Sequence, residues 1–206
     1  MNTAPSAARA AFFAARDQLL ECAGDPRRAR ERFEWPEVGD AFNWAHDVFD
    51  AIAAGNDATA LWIAEADGTE VKRSFAQLKR RSDQVANWLL AQGARRGDVA
   101  MLMLGNRLEL WEIMLAALKI GVVILPTSVV LGAHDLVDRV ERGRVRWVFA
   151  AADDALKFAS VPGDYRGIGV GFDEAGQDQR AALYDWLRFE ESGSASLAPI
   201  ARTTAS

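Results

Sequence analysis

Cysteine is nearly missing from these 206 residues: Cys22 stands alone, so neither an intrachain disulfide nor a multi-cysteine zinc site can form. That scarcity points to a reducing, cytoplasmic setting. Histidine is almost as sparse, with His46 and His134 far apart, so a histidine-based metal cluster would have to recruit carboxylates at no recognisable spacing. There is no basic surplus either, since 24 Lys and Arg face 29 Asp and Glu for a net charge of −5, which argues against a phosphate-neutralising nucleic-acid surface. The most apolar stretch, residues 108–125, is interrupted by Glu109, Glu112 and Lys119 and falls short of the roughly 18 uncharged residues of a membrane span. No lysine occurs after Lys157, and no internal repeat is found beyond a recurring αβ unit.

What remains is a chain with 50% hydrophobic and 26% charged residues, enough to bury a core of ordinary composition. Residues 97–126, GDVAMLMLGNRLELWEIMLAALKIGVVILP, read as strand, turn, crossover helix and second parallel strand. Residues 98–104 form an almost continuous apolar run, as a strand covered on both faces requires. In the helix over residues 108–120, Glu109, Glu112 and Lys119 share one narrow arc at 100° per residue; most of the circumference is left apolar, so the helix is expected to be mostly buried. Gly121 stands where a left-handed C-terminal cap belongs, and Pro126 stops the strand that follows.

Other elements attach to this unit. Residues 1–24 are alanine-rich with Arg9 and Arg16, a composition shared with organelle transit peptides, but Phe12, Phe13, Leu19 and Leu20 favour a docking helix ended by Gly24, Asp25 and Pro26. The clusters Arg27, Arg28, Arg30 and Lys79, Arg80, Arg81 are read as solvated helix faces. Asn43 caps a helix over residues 44–54 that Gly55 closes. A hairpin follows, with strands at residues 60–64 and 70–73 joined through Asp67 and Gly68. Ser74 and Gln77 form a capping box for a helix reaching Gln92, with Phe75, Leu78, Val85 and Leu89 along one side. Beyond Pro126 the pattern predicts a helix over residues 133–142 closed by Gly143, a strand at 146–150, short helices at 153–160 and 181–188, and a weak strand at 166–171. Residues 190–206 have no periodicity and too little apolar surface to offset chain entropy. The predicted class is α/β, a mostly parallel sheet flanked by helices. Its expected division is a helical segment at 1–34, a layered subdomain at 35–188 and a low-complexity tail at 189–206.

Candidate chemistry is thin. Gly167, Gly169 and Gly171 resemble a nucleotide loop, but no capped helix follows, so a glycine-rich strand and turn is the reading adopted. Gly105 and Asn106 sit at the carboxyl end of a parallel strand, where open sheets bind ligands; helix capping by Asn106 is the simpler role. Thr127 and Ser128 suit turn chemistry, His134 and Asp135 diverge by 100° as helix neighbours, and Cys22 has no base nearby. The seven tryptophans, one per element, read as core and edge packing and not as a stacking platform.

The segments FNWAHDVFD (42–50), SFAQLKRRSDQVANWLLAQGARRGDVAMLMLGN (74–106), ELWEIMLAALKIGVVILPTS (109–128) and HDLVDRVERGRVRWVFA (134–150) together resemble the N-terminal part of the AMP-forming acyl-CoA synthetases. Among these adenylate-forming enzymes the medium-chain branch is most similar, and the resemblance covers about residues 33–171. It implies a carboxylic acid substrate, ATP with Mg²⁺, and coenzyme A, joined through an acyl-adenylate. Members hold the phosphates on a Ser/Thr/Gly-rich loop ending in lysine. Here Thr203, Thr204 and Ser206 have part of that composition, without the glycine or lysine. No residue of this chain is therefore matched to a catalytic, cofactor-binding or metal-binding position. The expectation is an N-terminal portion, inactive alone, with sheet edge and apolar faces uncovered. Its alternatives are a non-catalytic module that pairs with itself or with a full-length synthetase through that surface, and an unrelated nucleotide-binding domain using Gly105 or the glycines near Gly169.

Overall fold

A computed structural model describes residues 6–171 and the backbone of residues 187–188. The described residues fall into two compact units, those up to Ile52 in the smaller and those from Ala53 on in the larger.

In the smaller unit, helix α1 (Ala7–Glu21) starts at Ser6, whose Oγ accepts from the Arg9 amide at 3.2 Å. No α1 residue is buried, and Leu20 is 63% exposed, so the predicted apolar stripe is only partly used: Phe12 stacks on Phe42 at 5.6 Å between ring centres. Helix α2 (Pro26–Arg32) is capped by Asp25. The helix expected over residues 44–54 is instead a π-helical turn at Ala45–Phe49 followed by α3 (Asp50–Ala53). Asn43 does cap it, Oδ1 accepting from the Ala45 and His46 amides, while the Asp47 carboxylate accepts from the Asn43 amide at 2.8 Å.

The larger unit opens with the hairpin of β1 (Thr59–Ala64) and β2 (Glu70–Ser74), antiparallel, its turn made by Gly68 at φ +87° and by Asp67 accepting from the Thr69 amide. Helix α4 (Phe75–Ala91) carries both bonds of the predicted capping box: Ser74 Oγ accepts from the Gln77 amide at 3.2 Å and Gln77 Oε1 from the Ser74 amide at 2.9 Å. After it come β3 (Val99–Met103), α5 (Leu108–Ile120), β4 (Val123–Pro126), α6 (Ala133–Gly143), β5 (Val145–Ala151), α7 (Ala152–Ala155) with a 3₁₀ turn at Leu156–Ser160, and β6 (Arg166–Val170). The helix expected over 181–188 is contradicted at its end, where Leu187–Arg188 is a short strand, β7, paired with β6; residues 181–186 and the tail lie outside the described residues. Pairing with the edge of an existing ladder outweighs helical propensity there.

The sheet order is β4-β3-β5-β6-β7, every pair parallel. Because β4 and β5 lie on opposite sides of β3, right-handed crossovers place α5 and α6 on opposite faces. Met101 and Met103 of β3 and Val148 and Ala150 of β5 meet Leu136 and Val140 of α6 and Phe158 in one buried cluster. Gly167 and Gly169 pair with Val148 and Ala150, on that same face, so they are strand residues and not a phosphate loop.

Helix α5 forms as its sequence predicts, with Gly121 at φ +74° as its C-cap. Its orientation is the surprise: Glu112 and Lys119 are buried, facing α4, while Trp111 and Leu118 are each 40% exposed. Arg81 Nε and Nη2 donate to the Glu112 carboxylate at 3.3 and 3.2 Å, and Lys119 Nζ and Lys79 Nζ each donate to Asp83 at 2.6 Å. The Lys79–Arg81 cluster is thus no plain solvated face; two of its three cations serve this interface. On α6, by contrast, Arg144 at φ +48° takes the left-handed position expected for Gly143, where an added Cβ would lie 3.0 Å from the Leu125 side chain.

Strand β4 has no neighbour beyond β3 among the described residues. Its Val123 and Thr127 amides donate to Asp98 and Leu102 carbonyls, so Ile124 and Pro126 face the open side. Proline offers no donor there.

Candidate functional site

In an open parallel sheet the ligand crevice lies beyond the carboxyl ends of the strands, where the order reverses, and here that is between β3 and β5. The segments reaching this mouth are Gly105 to Arg107, Thr127 to Leu131, the start of α7, and Gly171.

Arg107 dominates it. This residue is the N-cap of α5, with no side-chain cap bond, and its Nε and Nη2 donate to the two carboxylate oxygens of Glu109 at 2.9 and 3.1 Å. Burial alone would push the Glu109 carboxyl up, yet the Arg107 hydrogen bonds, a backbone amide and the Arg107 and Arg81 charges together hold it below its ordinary value. Across the mouth, Gly171 adopts φ +71°, and an added Cβ would stand 3.1 Å from Arg107 Nη2. The positive φ favours glycine here.

Asn106 does not cap α5 as expected. Its Oδ1 accepts from the Trp111 indole at 3.2 Å, so it fixes a side chain and not the helix end. Thr127 and Ser128 perform the predicted turn chemistry: Thr127 Oγ1 donates to the Leu125 carbonyl and Ser128 Oγ accepts from the Val130 amide. Lys157 carries no motif that sequence reasoning could use, being one lysine in a short helix. Its Nζ donates to the Val129 carbonyl at 2.5 Å and to Asp154 at 2.7 Å, tying the β4–α6 loop to the α7 side of the mouth.

His134 and Asp135 are both exposed on α6 and line a groove of about 770 Å³ with Leu125, Asp138, Arg142 and Gly143, outside the mouth. Cys22 is buried just after α1, in the smaller unit. The tryptophans are less buried than expected: Trp88 and Trp147 lie in the core, whereas Trp35, Trp44, Trp62 and Trp111 are exposed. No group of three His, Cys, Asp or Glu residues able to hold a metal exists among the described residues. Among the described residues the mouth therefore supplies a partly neutralised cation and a helix terminus without a side-chain cap.

Residues 48–191 match the family model described as AMP-binding enzyme. The chain is 35% identical over 126 residues to the mitochondrial acyl-coenzyme A synthetase ACSM5 of Rattus norvegicus, a span of 58% of this chain and 22% of that protein. Its fold superposes on the acetoacetyl-CoA synthetase of Streptomyces lividans with a TM-score of 0.63 at 21% identity, over 77% of this chain and 26% of that one. A benzoate CoA ligase from Burkholderia xenovorans LB400 gives 0.62 at 20% identity, over 79% and 31%. The chain thus spans less than a third of each of these relatives.

Proposed function

Because this chain belongs to the family of AMP-binding enzymes, we propose that it is the N-terminal part of an ATP-dependent acyl-CoA synthetase. In that reaction a carboxylate attacks the α-phosphate of ATP, pyrophosphate leaves, and the coenzyme A thiol then displaces AMP to give the acyl-CoA. The acid is a fatty acid or another carboxylic acid. The observation that carries the reading is the family match over residues 48–191.

The role of these residues is scaffolding. Arg107 is paired with Glu109 at the start of α5, close to Gly171 at the exit of β6, and Lys157 ties the loop after β4 to Asp154. No described residue is assigned to magnesium, and no step is routed through it. In this reading the chain is inactive alone, the site residues of the reaction lying elsewhere in the full-length relatives. We assign it to the cytoplasm on its single cysteine, although the rat relative is named mitochondrial.

ATP–pyrophosphate exchange with short, medium and aromatic carboxylates tests this: the purified chain is expected to give no signal above blank. Sustained exchange would overturn the scaffold assignment, and calorimetric heat with NAD in place of ATP would overturn the family chemistry. A second reading, a non-catalytic module that associates with itself or with a full-length synthetase, is favoured by one observation, the exposed apolar side of α5.

A further inference from the structure

The net charge of −5 hides an uneven distribution. Parallel topology gathers the amino ends of β3, β5 and β6 at the end of the sheet opposite the mouth. The segments there carry Arg95, Arg96, Arg142, Arg144, Arg146 and Arg166, all exposed, against the acids Asp98, Glu141 and Asp164. Hydrogen bonds join these segments into one surface: Arg166 Nη1 donates to the Gln92 carbonyl at 2.6 Å, Arg146 Nη1 to Asp164 at 2.5 Å, and the Trp147 indole to Asp98 at 3.0 Å. Cations beside a helix C-terminus ordinarily complement the helix dipole, which accounts for Arg142 at the end of α6. It does not account for Arg144. This residue holds the left-handed conformation at φ +48°, which glycine or asparagine adopts at less cost, and its side chain makes no hydrogen bond or ion pair among the described residues. A side chain kept at a strained backbone position and bonded to nothing within the fold points to a partner outside it. The Arg95 side chain is likewise unbonded among the described residues, only its amide being used, by Asp98.

We propose that this arginine plate docks the chain on an anionic lipid surface. Guanidinium groups match phosphate oxygens in charge and in paired donor geometry, so the chemistry of the plate is phosphate recognition. Its layout selects the source. The cations come from separate segments at roughly the 4.8 Å strand spacing, an array and not a track, and lipid headgroups, which diffuse singly, gather beneath an array of any spacing. The phosphates of a nucleic acid are fixed along a polymer, and the two rings at this end, Trp147 and Tyr165, are buried and half-buried, leaving no platform for a base. Each arginine near such a surface raises partitioning about five-fold, so the surplus of arginines over acids holds the chain reversibly and in a salt-dependent way. Docking of this kind is independent of the synthetase reading and is measured without ATP or acid, so its outcome is separate from that of the exchange assay.

Co-sedimentation of the full chain with vesicles is expected to show binding when phosphatidylserine is mixed into phosphatidylcholine and none with phosphatidylcholine alone. Release is expected at about 1 M salt, where charges are screened beyond about 3 Å. Arg144→Gly is the decisive variant: it removes the charge and relieves the left-handed backbone, so binding falls about five-fold while the thermal midpoint holds or rises. Arg95→Gln gives a similar fall. Arg28→Gln on α2, an exposed arginine outside the plate, leaves binding unchanged. Equal binding to both vesicle types would overturn the proposal, as would Arg144→Gly binding that matches the parent or an Arg28→Gln loss as large as that of Arg144→Gly. So would retention on polyglutamate or on single-stranded DNA at a salt concentration that prevents vesicle binding, which would assign the plate to an acidic protein or to a nucleic acid.

Discussion

The two faces of the parallel sheet are built on opposite plans. On one face α6 turns Leu136 and Val140 into an apolar cluster and leaves Asp138 and Arg142 in water, paired at 3.5 Å. On the other, α5 buries Glu112 and Lys119 against α4 and leaves apolar side chains outside. Helical periodicity identifies which arc of a helix is different from the rest; it does not say which way that arc faces when a neighbouring helix carries the complementary charges. Burying ions is costly unless each is paired with good geometry, and here α4 provides the pairs.

The sharpest way to break this contrast is Asp83→Ala, which removes a carboxylate facing Lys119 and is expected to lower unfolding stability by about 3–5 kcal/mol, read in urea. The paired replacement Asp83→Leu with Lys119→Met should be neutral or stabilising if the ions serve register more than stability; a loss as large as that of the single variant would show that the charges themselves hold the face together. Next in size, Leu136→Ala on the other face opens a cavity at a fully buried position and costs about 2–5 kcal/mol. A loss below about 1 kcal/mol would mean that the α6 cluster collapses around the gap.

Glu109 gives a smaller, pH-dependent effect. Its folded carboxyl is held below the ordinary range, so its contribution is present above the unfolded pKa and disappears as pH falls through the folded one. Acid titration of stability should therefore be shallower in Glu109→Gln than in the parent, and parallel curves would refute the pairing. Smallest of all, Arg142→Ala removes an exposed i,i+4 pair and should move stability by no more than about 0.5 kcal/mol. A larger change would mean that α6 depends on its outer charges after all.

Much of the fold was legible because local signals agreed with one another. The Ser74–Gln77 box, the Asp67–Gly68 turn, Gly121 at the end of α5 and the run of β3 each state an element and its boundary, and all four are realised. That Arg144 and not Gly143 is the left-handed residue was hidden, while the closeness of Leu125 and Val145 to Gly143, which leaves little room for a side chain, is tertiary. The π-helical turn at Ala45–Phe49 was hidden for a related reason: cap and periodicity announce a helix without its hydrogen-bond register. The mouth was only partly readable. Position after a parallel strand marked Gly105 and Asn106, but the approach of Arg107 to Gly171 brings together the ends of β3 and β6, which are remote in sequence.

Pro126 bears on how this protein behaves when crowded. An exposed strand edge can template cross-β growth only if donors and acceptors alternate along it, and on the outer side of β4 the Ile124 amide is followed by a proline that has none. A ladder begun at Ile124 loses its next rung, so fibrils have no seed on this edge. Substituting Pro126→Val restores a donor on this edge and is therefore expected to shorten any lag before thioflavin-binding growth relative to the parent chain.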